Sequence, residues 1–539
     1  MSQGTVGGSA PRFETREGVE SFWERMRREH RLTGNLTVSG FFSRTARRFP
    51  DKPALLFEQY AYTYRGLFET IAGVARHLRD EAGVKPGSRV ALLLENSDLY
   101  DIWYLGTLAI GAVAVPLNTK LTAREIEFIL ADSETTLLLS EERFEVTIAD
   151  LAPQVRSRLS VALLTRQAQP GASSWDLESA EVAMEAPAAI YYTSGTTGKP
   201  KGVVHTHRSL IAGALQGPLG WEYEDESVVN LATTPLFHIA NHTVYLPTLR
   251  VGGTLVVDTY KTEQMFELIQ RQRVTQLFAV PSMLLLMVQF PERDRYDTGS
   301  VVRVLFGAAP MPVHKLEAVQ ALFPKAALIH GMGQTECSGT TVTLPSSQAY
   351  KKAGSVGINI PGTEIRIVDD ADRELSPDRV GELVTRGPNV MSHYLNRPEA
   401  SAETLRGGWL HTGDLGYRDS EGYVYLVDRK KDMIIRGGEN IYSTEVEEVL
   451  YSLPGVAQAA VVGMPSELFG EEVLAYLVKK EDAPPLTLED IQAHCGQSLA
   501  KFKVPVAVRF VPEMPQTATG KIQKSVLKEM LRSELGAKR

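Results

Sequence analysis

The stretch "YYTSGTTGKPKGVVHTH", residues 191–207, packs three glycines, five Ser/Thr hydroxyls, two lysines and two histidines into seventeen residues. Before it, "AAIYY" (188–192) is apolar and strand-like; after it, "SLIAGALQG" (209–217) has the texture of a helix. The glycine-rich stretch is therefore expected to join a strand to a helix. Gly195, Gly198 and Gly202 let backbone amides approach an anion closely. Thr193, Ser194, Thr196 and Thr197 add hydroxyl donors, and Lys199 and Lys201 add charge, which together is the chemistry of a phosphate cradle. It is not a Walker A loop, because GxxxxGK[ST] needs glycine at 193 and Ser or Thr at 200, where Thr193 and Pro200 stand. By composition alone, the same residues also suit a plain Ser/Thr/Gly surface turn.

Around this stretch, apolar strand-like runs alternate with helical ones. "SRVALLLEN", "VAVPLN", "TTLLLS", "TQLFAVP", "VVRVLFG" and "KAALIHGMG" read as strands; "DLYDIWYLGTLAIGA" and "AREIEFILADS" read as helices. Continuous apolar strands alternating with helices predict an α/β fold of mostly parallel, layered sheets flanked by helices. The 539 residues exceed one hydrophobic core, so at least two domains are expected. From about residue 360 the texture shifts to short strands and turns. After "DRKKD" (428–432) comes a small α+β block, in which Thr444 with Glu447 spells a capping box for the helix "EVEEVLYSL".

Net charge is −8, with no basic block, which argues against a nucleic-acid partner. Two cysteines, Cys337 and Cys495, build neither a disulfide framework nor a cysteine metal site, in keeping with a reducing cytoplasm. "MSQGTVGGSAPRF" lacks the apolar core of a secretory signal. The longest apolar run, Ile102 to Leu117, falls short of the ~20 residues of a membrane span and ends at Pro116, so it reads as a buried helix running into a buried strand. Loose membrane attachment stays open on this reading.

The order Thr-Ser-Gly-Thr-Thr-Gly-Lys-Pro-Lys-Gly resembles the signature of the adenylate-forming superfamily of acyl-CoA synthetases, luciferases and adenylation domains. Further segments resemble that family in the same order: "TTPLFHIAN" (233–241), "FGAAPM" (306–311), "GMGQTEC" (331–337), "GELVTRGPNVMSHYLNRPEAS" (381–401), "GGWLHTGDLGYRDSEGYVYLVDRKKDMIIRGGENIYSTEVEEVL" (407–450) and "PQTATGKIQK" (515–524). The likeness covers about residues 40 to 530. It implies a large N-terminal AMP-binding domain over 1–430 and a small mobile α+β domain over 431–539, hinged at Lys431.

The resemblance implies that a carboxylic acid attacks the α-phosphate of ATP, and that a thiol then takes the acyl group from acyl-AMP. Thr193 through Lys201 would surround the departing phosphates. Gly307, Ala308, Ala309 and Pro310, with Gly331, Met332, Gly333 and Gln334, would flank the adenine. Thr335 would bond the α-phosphate and Glu336 would hold Mg²⁺, a hard cation suited to one or two carboxylates plus phosphate oxygens. Asp414 would take the ribose hydroxyls, supported by Arg429. Lys521 would bridge the acid carboxylate and the α-phosphate, offsetting their repulsion. His238 would stand at the acyl pocket, which is expected to involve residues 238–245, 306–311 and 331–341. Gly437, Gly438 and Glu439 would guide the pantetheine arm of coenzyme A, the glycines leaving room for it.

Two positions depart from the family pattern: Met332 stands where an aromatic is usual beside adenine, and Ser443 where proline is common. The reading is an acid–CoA ligase using ATP, Mg²⁺ and coenzyme A, with a homodimer compatible and the acid itself left open among small, aryl, alicyclic and fatty types. Loading of a carrier-protein thiol is the alternative. An α-amino-acid substrate is disfavoured, because Phe237-His238-Ile239-Ala240 offers no aspartate to an ammonium.

Overall fold

The computed structural model describes residues 16–167, 169–174, 176–179, 181–193, 200–223, 225–307, 311, 313–480, 483–516 and 522–536. The chain forms two compact units. The first takes most of the chain up to Ile365 together with Thr385–His411; the second takes Arg366–Val384 and Thr412–Arg539. Lys431 thus lies inside the second unit rather than at its edge.

Two sheets build the first unit. In the nine-stranded one, Pro53–Phe57, Thr254–Val257, Val229–Ala232, Gln276–Ala279, Arg303–Gly307 and Ala327–Gln334 run parallel to their neighbours. Antiparallel strands Tyr60–Thr63 and Gly339–Leu344 close its two sides, the latter followed by Ile358–Asn359. In the seven-stranded sheet, Ser160–Leu163, Leu137–Ser140, Arg89–Leu93, Val113–Pro116 and Pro187–Thr193 are parallel. The inner parallel strands are short apolar runs with both faces covered, as parallel sheets require, while the edge strand Ser160–Leu163 is largely exposed.

One continuous apolar core joins the inward faces of both sheets, at residues such as Leu55, Leu255, Leu92 and Ala114, with the helices Val38–Arg48, Tyr64–Asp80, Asp98–Ala109, His207–Gly220 and Tyr245–Val251. Helices therefore pack on both sheets. All twelve residues of Asp98–Ala109 are buried, its two aspartates included. This is the helix expected from the longest apolar run, followed by Val113–Pro116 as the expected strand.

The opening stretch folds differently from the expectation. Lys201–Thr206 is a strand, paired antiparallel with Pro187–Thr193 in the register Thr193↔Lys201 and Ile190↔Val204. The glycine-rich loop is thus a hairpin connection, and the helix His207–Gly220 starts only after it, capped by Thr206 and Ser209 in a reciprocal box. "KGVVHT" escapes a period-two reading because all of it but Lys201 is buried, His205 included.

The second unit holds most of a four-stranded sheet, in the order Glu364–Val368, Gly381–Arg386, Leu410–Arg418 and Val424–Arg429, and a five-stranded sheet. The long hairpin Val456–Ser466/Gly470–Lys479 is the spine of the latter. Helices Ser443–Ser452 and Leu488–Cys495 share a core with one face of this hairpin, and Lys524–Gly536 packs on the other. The capping box expected from Thr444 and Glu447 does not form. The helix begins at Ser443 behind Tyr442 with no side-chain cap, and Glu447 is drawn instead to Lys524 at 2.7 Å and to the Val461 N–H. Among the described residues, no helix is long and apolar enough to cross a membrane.

Candidate active site

The 187–193/201–206 hairpin brings Thr193 and Lys201 opposite each other at its mouth. Ser194, Gly195, Thr196, Thr197, Gly198 and Lys199, expected to cradle phosphates, lie outside the described residues. Lys201 sets its ammonium 4.9 Å from the ring centroid of Tyr394, within the range of a cation–π contact.

Tyr394 links the hairpin to the second expected feature, the turn Thr335-Glu336-Cys337. Its hydroxyl donates to Glu336 Oε1 at 2.7 Å. Burial, and then the Glu336 carboxylate, push the Tyr394 pKa up, so the phenol keeps the proton it donates. The turn leaves strand Ala327–Gln334 as one short helical turn and reverses through Ser338 and Gly339, both with positive φ. Each of its three carbonyls is held from elsewhere. His205 Nε2 meets Thr335 O at 2.7 Å, Met391 N–H donates to Glu336 O at 2.8 Å, and Asn389 Nδ2 donates to Cys337 O at 2.8 Å. The 389–395 segment is itself tied to the hairpin, with Ser392 N–H on Val204 O and Leu395 N–H on Gly202 O.

His205 is fully buried, and burial lowers its pKa to about 4. The neutral ring has its Nδ1 3.0 Å from Ser209 Oγ, so Nε2 carries the proton donated to Thr335 O. His205 thus holds a strand position from which it steadies Thr335. His207 opens the helix that follows, with its Nδ1 accepting the Val38 N–H at 3.1 Å.

A carboxylate with one oxygen held by Tyr394 offers its other oxygen to a cation. Among the described residues, no group of three or more His, Cys, Asp or Glu is arranged to hold an ion. A single carboxylate held in this way fits Mg²⁺, which takes few protein ligands and completes its shell with phosphate oxygens and water.

On the expected adenine side, Gly307 and Gly331 are register partners on adjacent strands. A Cβ on Gly331 would lie 2.1 Å from the Trp221 ring, and one on Gly307 would lie 2.2 Å from Gly331 O. Both glycines are therefore demanded by close packing within the fold. Met332 is buried, Gly333 is exposed and Gln334 ends the strand. Ala308, Ala309 and Pro310 lie outside the described residues. One residue before Gly331, His330 stacks on Phe306 with centroids 4.9 Å apart and planes 5° from parallel. His238 is half-buried and caps the turn Ile239–Thr243, its Nδ1 accepting the Ala240 N–H at 3.1 Å.

In the second unit, Asp414 and Arg429 are cross-strand partners joined by a 3.1 Å ion pair. Gly437 and Gly438, φ +59° and +91°, are the two central residues of the hairpin between Ile434–Arg436 and Glu439–Ile441. Two successive positive φ values are the demand of a type I′ turn, so the turn alone requires both glycines. Glu439 follows, exposed. Burial lowers the Lys431 pKa. Ser443, where proline is common, donates both its N–H and its hydroxyl to Asp428, two bonds of which proline can make neither. Lys521 lies outside the described residues.

Tyr394 and Asn389 are residues that sequence reading missed, as is the contact of His205 with Thr335. Tyr394 stands in a quoted segment, "VMSHYLNRP", but nothing local shows that its hydroxyl meets a carboxylate 58 positions earlier.

The AMP-binding enzyme model matches residues 42–395, and the AMP-binding enzyme C-terminal domain matches 445–521. Feruloyl-CoA synthase from Amycolatopsis sp is 36% identical over 483 residues, covering 89% of this chain and 96% of that protein. The 2-succinylbenzoate–CoA ligase of Bacillus mycoides is 35% identical over 502 residues, covering 92% and 99%. Among solved structures, o-succinylbenzoate CoA synthetase from Bacillus subtilis in complex with its acyl-adenylate intermediate superposes with a TM-score of 0.83 at 32% identity, covering 92% of this chain and 99% of that one. The same synthetase with ATP and magnesium ion gives a TM-score of 0.82 at 32% identity, covering 90% and 98%. The chain belongs to the AMP-binding enzyme family, among the adenylate-forming acyl-CoA synthetases.

Proposed function

We propose that the chain is an AMP-forming carboxylic acid–CoA ligase, converting an acid, ATP and coenzyme A to acyl-CoA, AMP and pyrophosphate. The observation that carries this reading is the Thr335-Glu336-Cys337 turn. It is held by all three carbonyls and by Tyr394, beside a hairpin mouth formed by Thr193 and Lys201. Fixed donors and cations are what a phosphoryl centre needs, because they stabilise developing charge without reorganising.

Thr193, Lys201 and residues 194–199 bind the β- and γ-phosphates. Thr335 donates to the α-phosphate, and Glu336 offers its free oxygen to Mg²⁺, which when bound neutralises phosphate charge. Asp414, oriented by Arg429, accepts from the ribose hydroxyls, and the strands ending at Gly307 and Gln334 flank the adenine. His238 stands at the acid. Lys521 bridges the acid's carboxylate and the α-phosphate, and the 437–439 turn guides the thiol arm after a rotation at Lys431, which divides the working domains as 1–430 and 431–539. An aryl or aryl-like acid is the substrate class we favour, supported by the names of relatives acting on feruloyl and succinylbenzoate groups. A cytoplasmic location accords with two buried cysteines, and a homodimer is compatible with the chain.

Incubation of the protein with ATP, Mg²⁺, coenzyme A and a panel of aryl, alicyclic and fatty acids, read by mass spectrometry, is expected to yield one class of acyl-CoA together with AMP. Absence of AMP formation with every acid refutes the reading. Acyl-AMP without thioester shows that coenzyme A is not the acceptor.

A further inference from the structure

Four side chains with unpartnered polar atoms lie together inside the first unit. Asp101, 1% exposed, has neither carboxylate oxygen hydrogen-bonded among the described residues; the same holds for the Tyr100 and Tyr245 hydroxyls and for His242 Nδ1. They come from three elements of the first unit: helix Asp98–Ala109, and the consecutive turn Ile239–Thr243 and helix Tyr245–Val251. His242 bridges them, its ring 5.3 Å from Tyr104 and 6.4 Å from Tyr245, while Tyr104 stacks on Tyr100 at 6.1 Å. The Asp101 carboxylate lies close enough to raise the pKa of both Tyr245 and Tyr100, behind burial as the larger cause.

The other members of this polar set are satisfied. Tyr191 donates to the Tyr104 hydroxyl at 3.1 Å and so accepts from His242 Nε2. With Nε2 protonated and the ring kept neutral by burial, its pKa near 3, His242 Nδ1 is a bare acceptor. Asp98, next to this set on the same helix, is paired twice with Arg166 and once with Tyr62. Asp101 alone on this helix is a buried carboxyl group without a cation or a donor among the described residues, and burial, then the nearby Asp98, raise its pKa so that it favours the protonated form.

An unpartnered buried polar atom costs about as much as a lost hydrogen bond, and native interiors contain few. Five in one place, with His242 and the Asp101 carbonyl oxygen as acceptors and the Asp101 and tyrosine hydroxyls as donors, form a set that awaits a polar partner able both to give and to take a hydrogen bond. Its position relative to the proposed chemistry follows from two links. Tyr191 precedes Thr193 by two residues on one strand, so both side chains share a face roughly 7 Å apart. His242 sits in the turn that His238 caps. We propose that Asp101, Tyr100, Tyr245 and His242 form a subsite for the far end of the acyl group, and that the acid activated here carries a hydroxyl at that end. His242 Nδ1 accepts the hydroxyl's one hydrogen, and two of the Asp101, Tyr100 and Tyr245 hydroxyls donate to its oxygen. This rests on the ligase reading above and narrows its substrate class to hydroxylated acids.

The test is competition between acids matched except for one remote hydroxyl: cinnamic against para-hydroxycinnamic acid, and decanoic against ω-hydroxydecanoic acid. Adenylation is followed by pyrophosphate release. The wild type is expected to favour the hydroxylated member of at least one pair by about tenfold to a hundredfold in kcat/KM. Asp101→Val is expected to erase that preference while retaining turnover of the plain acid. It also melts no lower than the wild type without acid, since it removes an unsatisfied buried group. Asp101→Asn and Tyr245→Phe keep the side-chain shape and carry the test if the valine variant does not fold; each is expected to reduce the preference.

Equal kcat/KM within both pairs for the wild type overturns the proposal and marks the cluster as a site for ordered water. A preference that survives all three variants overturns it as well, as does a clearly lower melting temperature for both Asp101 variants, which would show a structural partner. Turnover of none of the four acids, with other acids still adenylated, sinks the hydroxyl-acid proposal alone. Adenylation of no acid at all sinks the ligase reading and this one with it.

Discussion

Replacing Tyr394 by phenylalanine removes one oxygen from the site and leaves the ring on which Lys201 rests, 4.9 Å from its centroid. The atom lost is the donor to Glu336 Oε1 at 2.7 Å. A hydrogen bond to a charged group contributes about 1.5–3 kcal/mol. If that bond aims the carboxylate, its loss weakens the binding of a cation to Glu336 by about tenfold to a hundredfold, since 1.4 kcal/mol is a factor of ten. Adenylation followed by pyrophosphate exchange, titrated with Mg²⁺ at saturating ATP and acid, is expected to show a half-saturating Mg²⁺ concentration raised by that factor. kcat at saturating Mg²⁺ should stay within a few-fold of the wild type. Manganese substituted for magnesium adds a readout independent of turnover, with free Mn²⁺ followed by electron paramagnetic resonance beside a non-hydrolysable ATP analogue. Tyr394→Leu, which also removes the ring beneath Lys201, is expected to raise the KM for ATP in addition. A Tyr394→Phe protein whose Mg²⁺ midpoint and Mn²⁺ affinity both lie within twofold of the wild type refutes the argument that this phenol positions a metal ligand.

Lys521→Ala is expected to abolish acyl-AMP formation while largely sparing thioester formation from supplied acyl-AMP, measured as two separate half-reactions; equal loss of both removes Lys521 from its assigned role. Lys431→Pro is expected to do the reverse, and an intact thioester half in that variant rules out rotation at this residue. Acid sensitivity follows from the buried imidazoles. Burial lowers the pKa of His205 and His330 to about 4 and that of His207 and His242 to about 3, from 6.5. Between these values and 6.5 the unfolded chain binds more protons than the folded one. Stability is therefore full above pH 6.5 and falls as pH drops through the window down to about 3, by up to ~1.4 kcal/mol per pH unit for each histidine. Thermal melts across this window should show the decline. His207→Asn, whose amide oxygen can still accept the Val38 N–H, should make it shallower, and an unchanged slope in that variant contradicts the assignment.

The family was legible in the sequence, because a glycine-rich hydroxyl loop, a Thr-Glu pair and a lysine motif occur in a recognisable order. The parallel strands and the buried helix Asp98–Ala109 were legible for a different reason: continuous apolar runs have few other ways to be buried. What was not legible is what restrains the motif residues. Lys201–Thr206 reads as no strand because it buries a histidine, and that histidine is there to hold the carbonyl of Thr335, 130 positions away. The local capping pair Thr444/Glu447 loses to Lys524, which captures Glu447 from the far end of the same unit. Gly331 belongs to a segment expected to flank adenine, yet the Trp221 ring alone already forbids a side chain there. A motif residue can thus be fixed by packing and by ligand at once, and only the fold separates the two demands. The same separation isolates Asp101. The unpartnered carboxylate is as acidic in the sequence as the paired Asp98 three residues earlier, and what distinguishes them is that Arg166 and Tyr62 reach one and not the other. A buried group that the fold leaves unsatisfied is therefore where chemistry outside the chain has the most to supply.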